Sequence, residues 1–545
     1  MTKSNLKLKT CIYASYSTIF ASINNSNTPY YMDIDWKAKA KQLLKAELVR
    51  RNITYEELAE RLSVIGVEET KSSIDSKMSR GSFSAIFMIQ SLTSIGCDQL
   101  SIDNIIHQEN SLPLVKEPEI KYESSKMFKM YHDKEGIRYL DINSLDNQIL
   151  KENKVISLFS GAGGLDIGLE QAGFETAICV ENDPDCRATL KYNRPEWKLF
   201  DKSEKFDEGK LETREPGNIR AIDVAELLQY ADLEKGEAAL VVGGAPCQPF
   251  SNIGKRNGKN DKKNGDLFLE FVRFVKGAEP KAFIFENVAG ITQSKHNSVI
   301  KYMIDNFSGS GYSISYKILN AADFGVPQRR ERFFLIGIKN CDLPAFPLRT
   351  HSKDNKSWQK FIADLNKKPA YLPKKWKSVK DTFNELSKDY ENREDYAVMN
   401  STAKVVHRMT FIDQGENFKV LPMELRPNCW KNGKHQGQDT FGRLVEDLPS
   451  VTIRTAAYNP SKGRYIHPFE NRGLNTIEMA ALQDFPKDWF FKCYNKSKVT
   501  LVSTGKQIGN AVPPSLARAL GLAIKHQIIK SESKEFAEKH IELVE

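Results

Sequence analysis

No run in this chain approaches the roughly 20 consecutive apolar residues that a membrane-crossing helix requires. No two of its cysteines stand in a Cys-x-x-Cys pair, and all eight (Cys11, Cys97, Cys179, Cys186, Cys247, Cys341, Cys429 and Cys493) are scattered singly. The first absence argues against a membrane-spanning protein. The second argues against zinc knuckles and disulfide scaffolds, so a cytoplasmic protein with no metal and no membrane partner is expected. A large excess of one charge is also missing: 79 Lys+Arg against 70 Asp+Glu leaves +9 over 545 residues. That balance permits a polyanionic partner without requiring one. What is present is ordinary globular composition, 40% hydrophobic and 27% charged, which excludes a wholly disordered or collagen-like chain. At about 150 residues per domain the length provides for three or four structural units.

Residues 1–31 carry Lys3, Lys7 and Lys9 before the soft stretch CIYASYSTIFASI. The stretch is too polar for a secretory signal, and 1–31 reads instead as a disordered leader or a misplaced start ahead of Met32. Residues 32–103 read as helical throughout. WKAKAKQLLKAELVRRN (36–52) places apolar residues at helical spacing, and Thr54 stands three residues before Glu57, the capping-box spacing. SSIDSKMSRG (72–81) and SFSAIFMIQSLTSIG (82–96) follow. This series of short helices, TYEELAERL in particular, resembles the helix-turn-helix domain of phage-repressor-type regulators. The turn VIGVEET is longer than that family's usual one, and a helical module for protein contacts is the competing reading. Residues 104–150 have mixed charge and no sustained period, as a linker would.

The texture changes at Lys154. Short apolar runs, KVISLF, TAICV, ALVVGG and KAFIF, alternate with helical stretches. The alternation predicts an α/β fold with a mostly parallel sheet covered on both faces, whose ligands collect at the carboxyl ends of the strands. At the end of the first strand, SGAGGLDIG holds Gly161, Gly163 and Gly164, which allow a tight bend and close approach of a ligand. Glu181, twenty positions after Gly161, ends the second strand at the spacing of a ribose-binding carboxylate. IRAID (219–223) is read as a third strand ending in Asp223, a candidate adenine acceptor and equally a helix cap.

The fourth strand runs into GGAPCQPFS (243–251). A cysteine in such a loop is poorly placed for packing and well placed to be a nucleophile. An unperturbed thiol, with a pKa of about 8.5, is only a few per cent thiolate at pH 7. A fall of about 1.5 units, worth about 2 kcal/mol, ionises half of it. The fifth strand ends in Glu286, where a carboxyl group can hand a proton to a substrate ring. If the segment after ADFGVPQ is strand, Arg330 and Arg332 project to one side of it.

FSGAGG, APCQPFS, ENV, QRRER and GKQIGNAVPP occur in the order and approximate spacing of the DNA cytosine-5 methyltransferases, and the similarity covers about 155–525. The resemblance implies a Rossmann-like, doubly wound, S-adenosylmethionine-dependent methyltransferase domain at 151–340. A smaller target-recognition domain follows at 341–500, and a segment at 501–545 completes the catalytic domain. It implies that Cys247 adds to carbon 6 of cytosine and that Glu286 protonates the ring nitrogen. Arg330 and Arg332 then match the arginines of the Gln-x-Arg-x-Arg motif headed by Gln328. Phe159, Gly161, Gly163, Gly164, Leu165, Glu181, Asp223, Pro246, Leu267 and Asn510 fall where the family holds S-adenosylmethionine. Asn182 departs from the aromatic residue that several members carry after the ribose-binding Glu. FGRL (441–444), PSVTIRT (449–455) and NPSKGRYIHP (459–468) are similar to parts of the target-recognition region, while Arg472, Glu478 and Gln483 read as braces.

The implied substrate is double-stranded DNA, bound by a monomer that flips the target base out of the helix, in a restriction–modification setting. The helical head is a candidate transcriptional regulator. Methylation of transfer RNA would use the same chemistry, but the long segment after QRRER favours DNA.

Overall fold

The computed structural model describes residues 44–45, 48, 51, 53–80, 83–95, 129–144, 150, 152–201, 204–207, 210–213, 216–245, 267–293, 297–431 and 439–542. Cys247, Pro246 and the leader at 1–31 lie outside these residues. The chain divides into two units, Met1–Glu123 and Ser124–Glu545.

In the first unit, helices α1 (Tyr55–Val64), α2 (Lys71–Arg80) and α3 (Ala85–Ser94) enclose a small core of Leu58, Leu62, Ile74, Met78 and Phe87. Thr54 and Glu57 form the reciprocal capping box that their spacing predicts, satisfying N–H groups that the first turn leaves without partners. On α2, Lys71 is paired with Glu56 at 3.0 Å and Lys77 with Glu69.

The second unit is built on a seven-stranded sheet: β1 (Lys154–Leu158), β2 (Glu175–Val180), β3 (Lys198–Leu199), β4 (Leu240–Gly243), β5 (Ala282–Val288), β6 (Tyr312–Asn320) and β7 (Glu331–Lys339). Their order is β6-β7-β5-β4-β1-β2-β3, with β7 antiparallel to both neighbours and the other contacts parallel. The central strands β1, β4, β5 and β7 bury both faces. Ile156, Val241, Phe283, Phe285 and Phe333 look to one apolar layer. Val155, Leu240, Val242, Ile284 and Phe334 look to the other. The first layer takes α6 (Val224–Tyr230), α7 (Leu267–Ala278) and α8 (Asn297–Ser308). The second takes α4 (Gly164–Gln171) and the long α11 (Pro514–Glu542). The expected doubly wound sheet is present.

Glycine sets how closely the two ends of the sequence meet. A Cβ on Gly164 would stand 2.4 Å from the Val512 carbonyl, and one on Gly168 would stand 2.3 Å from the Pro514 carbonyl and 2.4 Å from Ala517 Cβ. Helix α11 therefore lies directly on α4 and brings the GNAVPP segment onto the glycine bend.

Two expectations need correction. IRAID is no strand: Asn218 caps a single 3-10 turn at Ile219–Ala221, and the two residues Lys198–Leu199 form the third strand instead. Side-chain capping overrode the β-branched composition. The stretch 104–150, read as a linker, contains a hairpin of Met130–His132 and Arg138–Leu140 that pairs with Phe346–Pro347 and belongs to the second unit. Tyr139 and Leu140 are buried there, yet two strands of three residues are too short to show a period in the sequence.

Candidate active site

The carboxyl ends of β1 and β2 form one pole of the site. The chain leaves β1 through Phe159, whose φ of 56° is in the left-handed region, and turns at Gly161 (φ 57°) and Gly163 (φ 83°). Nothing lies within 4 Å of the place where a Cβ on Gly161 would stand, so the bend has an open side. Across it, Glu181 Oε2 accepts the Gly161 N–H at 2.7 Å and Oε1 accepts the Asp183 N–H at 2.7 Å. The Glu181 carbonyl is held by Arg187 Nη1 at 3.1 Å. Burial pushes the Glu181 carboxyl above the ordinary range, and the backbone N–H groups of Asp183 and Gly161 oppose the rise.

These residues fit an adenosine-bearing cofactor. Each Glu181 oxygen has one backbone donor and keeps acceptor capacity for a vicinal diol. Leu165 is buried at the start of α4, Leu267 is buried at the start of α7, and Asn510 is exposed at the end of α10 (Leu501–Asn510). Asp223 Oδ1 caps α6 by accepting from Ala225 N at 2.8 Å and Glu226 N at 3.3 Å, the cap role its sequence context allows.

The second pole is at β5 and β7. Glu286 is buried, and its Oε1 meets Arg332 Nε at 3.0 Å. Burial raises the Glu286 pKa, while the Arg332 and Arg330 charges pull it back. Just past β4, a Cβ on Gly244 would stand 2.7 Å from Glu286 Oε2, so a side chain there would displace this carboxylate. Asn287 Nδ2 donates to the Ala245 carbonyl at 3.1 Å. The chain is thus fixed beside Glu286 two residues before Cys247.

Arg330 does not share the surroundings of Arg332. Strand β7 begins at Glu331, and the Arg330 guanidinium turns into the protein. It donates to the carbonyls of Ile453 (3.0 Å), Gly509 (2.8 Å) and Ala511 (3.0 Å). Burial pushes its pKa down to about 9. Its Nε has no partner among the described residues. Gln328 extends the same brace: Nε2 donates to Gln483 Oε1 at 2.7 Å and to the Leu482 carbonyl at 3.0 Å, and Oε1 accepts from Ile453 N at 2.8 Å. Gln483 in turn donates to the Ala511 carbonyl at 2.6 Å. Arg472 pairs with Glu478, which caps α9 (Thr476–Leu482) together with Asn475. In FGRL, Arg443 is buried and donates to the carbonyls of Ile412, His467, Glu470 and Met409.

The sequence reading singled out neither Gly244 nor Asn287, although both adjoin residues it did name. Arg187 was also missed, because its contacts are with carbonyls brought close only by the fold.

Among the described residues no group of three or more His, Cys, Asp or Glu is placed to hold a metal, and no helix is long and apolar enough to cross a membrane.

Two known families match parts of the chain. The C-5 cytosine-specific DNA methylase family matches residues 153–526. A domain family of unknown function (DUF6471) matches residues 36–100. The chain is 32% identical over 399 residues to the Type II methyltransferase M.XorII of Xanthomonas oryzae pv. oryzae, covering 70% of this chain and 86% of the relative. It is 40% identical over 243 residues to M.AquIA of a Picosynechococcus species, covering 43% of this chain and 89% of the relative. To M1.HphI of Haemophilus parahaemolyticus it is 32% identical over 371 residues, covering 68% and 86%.

Proposed function

The chain belongs to the C-5 cytosine-specific DNA methylase family, an S-adenosylmethionine-dependent enzyme family, and from that premise we propose how its residues divide the reaction. Cys247 is the nucleophile, Glu286 the proton donor, Arg332 the partner that positions Glu286, and Arg330 the brace between the catalytic strand and the GNAVPP segment. Phe159, the glycine bend, Leu165, Glu181, Asp223, Pro246, Leu267 and Asn510 hold the cofactor. The single observation that carries this division is the Glu286–Arg332 pair, set against Gly244 and Ala245 on the approach to Cys247.

Cytosine carbon 5 is a weak nucleophile while the ring is aromatic. Addition of the Cys247 thiolate to carbon 6, with Glu286 delivering a proton to ring N3, leaves carbon 5 with enamine character. Bound S-adenosylmethionine supplies a methyl group on a sulfonium. With that methyl on carbon 5, loss of the carbon 5 proton to a base and return of the N3 proton to Glu286 would expel the Cys247 thiolate and restore the ring. Covalent catalysis of this kind divides one hard step into easier ones. The target carbon is shielded in a duplex, so the base is everted into the site at a cost of a few kcal/mol.

We test this with duplex DNA containing 5-fluorocytosine. The fluorine cannot leave as a proton does, so an adduct accumulates at Cys247 and mass spectrometry locates it. Cys247→Ala should form no adduct and lose turnover by a factor on the order of 10^4 or more, while still binding S-adenosylmethionine. An active Cys247→Ala variant would overturn the assignment.

Residues 341–500 carry the target-recognition surface, and the enzyme acts as a cytoplasmic monomer protecting DNA from a partner endonuclease. The head at 32–103 retains a regulatory role as its proposed function. Deleting 1–123, which spares the hairpin at 130–140, should leave methylation intact and remove promoter binding. Lost methylation would make the head part of the enzyme.

A further inference from the structure

Positive charge is concentrated in one short stretch. Residues 349–377 hold nine Lys and Arg against two Asp, a net +7 in 29 residues, whereas all 545 residues together carry +9. The stretch packs on the catalytic sheet: Phe346 and Leu348 just ahead of it, and Phe361, Leu365 and Tyr371 within it, join the apolar layer of Ile284 and Phe334. Phe441 of FGRL and Ile466 of NPSKGRYIHP belong to a separate core with Met409, Phe418 and Trp430. A short parallel pairing sets His351 beside Lys374 and Ser352 beside Lys375. Lys353 follows directly, and Lys356 stands in the first turn of the helix Asn355–Ile362. Lys353, Lys356, Lys374 and Lys375 are all exposed, and none is in an ion pair among the described residues. The nearby aspartates are already engaged. Asp354 caps the helix by accepting from Ser357 N at 2.7 Å, Asp364 pairs with Lys134 at 2.9 Å, and Asp323 pairs with Arg349 at 3.1 Å. The His351 ring registers the uncompensated charge: burial lowers its pKa, and Lys374 and Lys377 lower it further.

This stretch lies at the end of the sheet that carries the reacting pair. A cavity of about 280 Å³ runs between it and the edge strand β6, lined by Lys317, Asn320 and Glu331 on the sheet side and by Arg349, Lys353 and Trp376 on the other. Asn320 pairs with Glu331, the residue before Arg332, and Arg332 meets Glu286. A duplex carries one negative charge for about every 1.7 Å of its axis, and lysines that neutralise its phosphates release condensed counterions. Contacts of this kind fix position and read no bases. We propose that residues 349–377 form a docking surface for duplex DNA flanking the recognition sequence, gripping its phosphates through Lys353, Lys356, Lys374 and Lys375. The inference rests on the DNA reading of the family and divides the stretch 341–500. Its first part holds the duplex whatever its sequence, and discrimination between sequences falls to the part built around Phe441 and Ile466.

The experiment measures binding of the full chain to an arbitrary duplex of about four helical turns, roughly 40 base pairs, over a series of salt concentrations. Each phosphate contact contributes about −0.9 to the slope of log K against log salt. The combined variant Lys353→Gln, Lys356→Gln, Lys374→Gln and Lys375→Gln should therefore show a slope shallower by about 2 to 4, with binding weakened about 10- to 100-fold near 0.1 M salt. Its kcat on genomic DNA from a host lacking the enzyme, and its affinity for S-adenosylmethionine, should stay within about twofold of wild type, since phosphate contacts act on binding. Lys276→Gln with Lys301→Gln, on the helices α7 and α8 of the opposite face, removes charge and should keep the wild-type slope. A second measurement needs no variant: acetylation of the wild-type protein, mapped by mass spectrometry, should slow at Lys353, Lys356, Lys374 and Lys375 when the duplex is added, and not at Lys276 or Lys301. A wild-type slope in the combined variant, or equal labelling with and without DNA, overturns the proposal and leaves the DNA reading standing. If the wild-type protein binds no duplex at all, the DNA reading falls and takes this inference with it.

Discussion

Two carboxylates, the half-buried Glu181 and the buried Glu286, are held in different ways. Glu181 accepts from two backbone N–H groups, at Gly161 and Asp183. Glu286 faces one guanidinium, that of Arg332, with Arg330 adding charge from farther off. Burial raises both pKa values. The backbone donors around Glu181 have fixed charge and fixed place, so this group suits a hydrogen-bonding duty that does not change during turnover. The arginine beside Glu286 is a side chain whose pull offsets desolvation, which leaves the carboxyl able to gain and lose a proton. One carboxylate is anchored and the other is poised.

The comparison breaks most visibly at Glu286. Glutamine keeps the shape but cannot deliver a proton, so Glu286→Gln should lower kcat by about 10^2 to 10^4, the usual range for a general acid. The dissociation constant for S-adenosylmethionine should stay within about twofold. The raised pKa keeps a protonated fraction of Glu286 available at higher pH than for an exposed glutamate. Wild-type kcat should accordingly fall as pH climbs through that pKa, and the variant should lose this limb. A pH–rate profile of both enzymes checks it, and a variant that retains the limb would assign the proton to another group.

At the other pole the effect should be smaller and of a different kind. In Glu181→Gln the side-chain amide has to point an N–H at either Gly161 N or Asp183 N, and the site loses an acceptor for the ribose. Each mismatched polar group of this type costs about 1–3 kcal/mol. The KM for S-adenosylmethionine should rise about 10- to 100-fold, with kcat at saturating cofactor changed far less. Initial rates over a cofactor series separate the two constants. Equal losses at saturation for Glu181→Gln and Glu286→Gln would erase the distinction between anchored and poised.

The two poles were unequally legible in the sequence. Glu181 and Glu286 were visible because each ends a short apolar run, and apolar runs in alternation with helices already specify the doubly wound sheet. Gly161 was visible because a bend at a strand end calls for glycine. The turn of Arg330 into the protein was not, since its carbonyl partners at Ile453, Gly509 and Ala511 lie more than a hundred residues away. Alternation along a strand predicts a common side for Arg330 and Arg332, but the strand begins one residue after Arg330. The burial of Asp166, the third residue of α4, was equally hidden. An acid in the first turn of a helix is ordinary in sequence, and only the packing of α4 on the sheet encloses it.

The smallest test concerns how the Glu181 anchor is itself held. Asp183, which donates its N–H to Glu181, caps α5 (Pro184–Asn193) and pairs through its carboxylate with Lys506 Nζ at 2.6 Å. Lys506 belongs to the GKQIGNAVPP segment, so this pair links that segment to the ribose carboxylate. The Lys506 side chain is 57% exposed, and solvent screening holds such a pair to about 0–1 kcal/mol. The Asp183 cap survives without it, because Oδ1 still accepts from Asp185 N and Cys186 N. Lys506→Ala should therefore raise the cofactor KM by no more than about fivefold, leave kcat unchanged, and make the KM less sensitive to salt than in the wild type. A fall in kcat would mean that Lys506 acts on the reacting pole, and the two carboxylates could then no longer be treated as independently held.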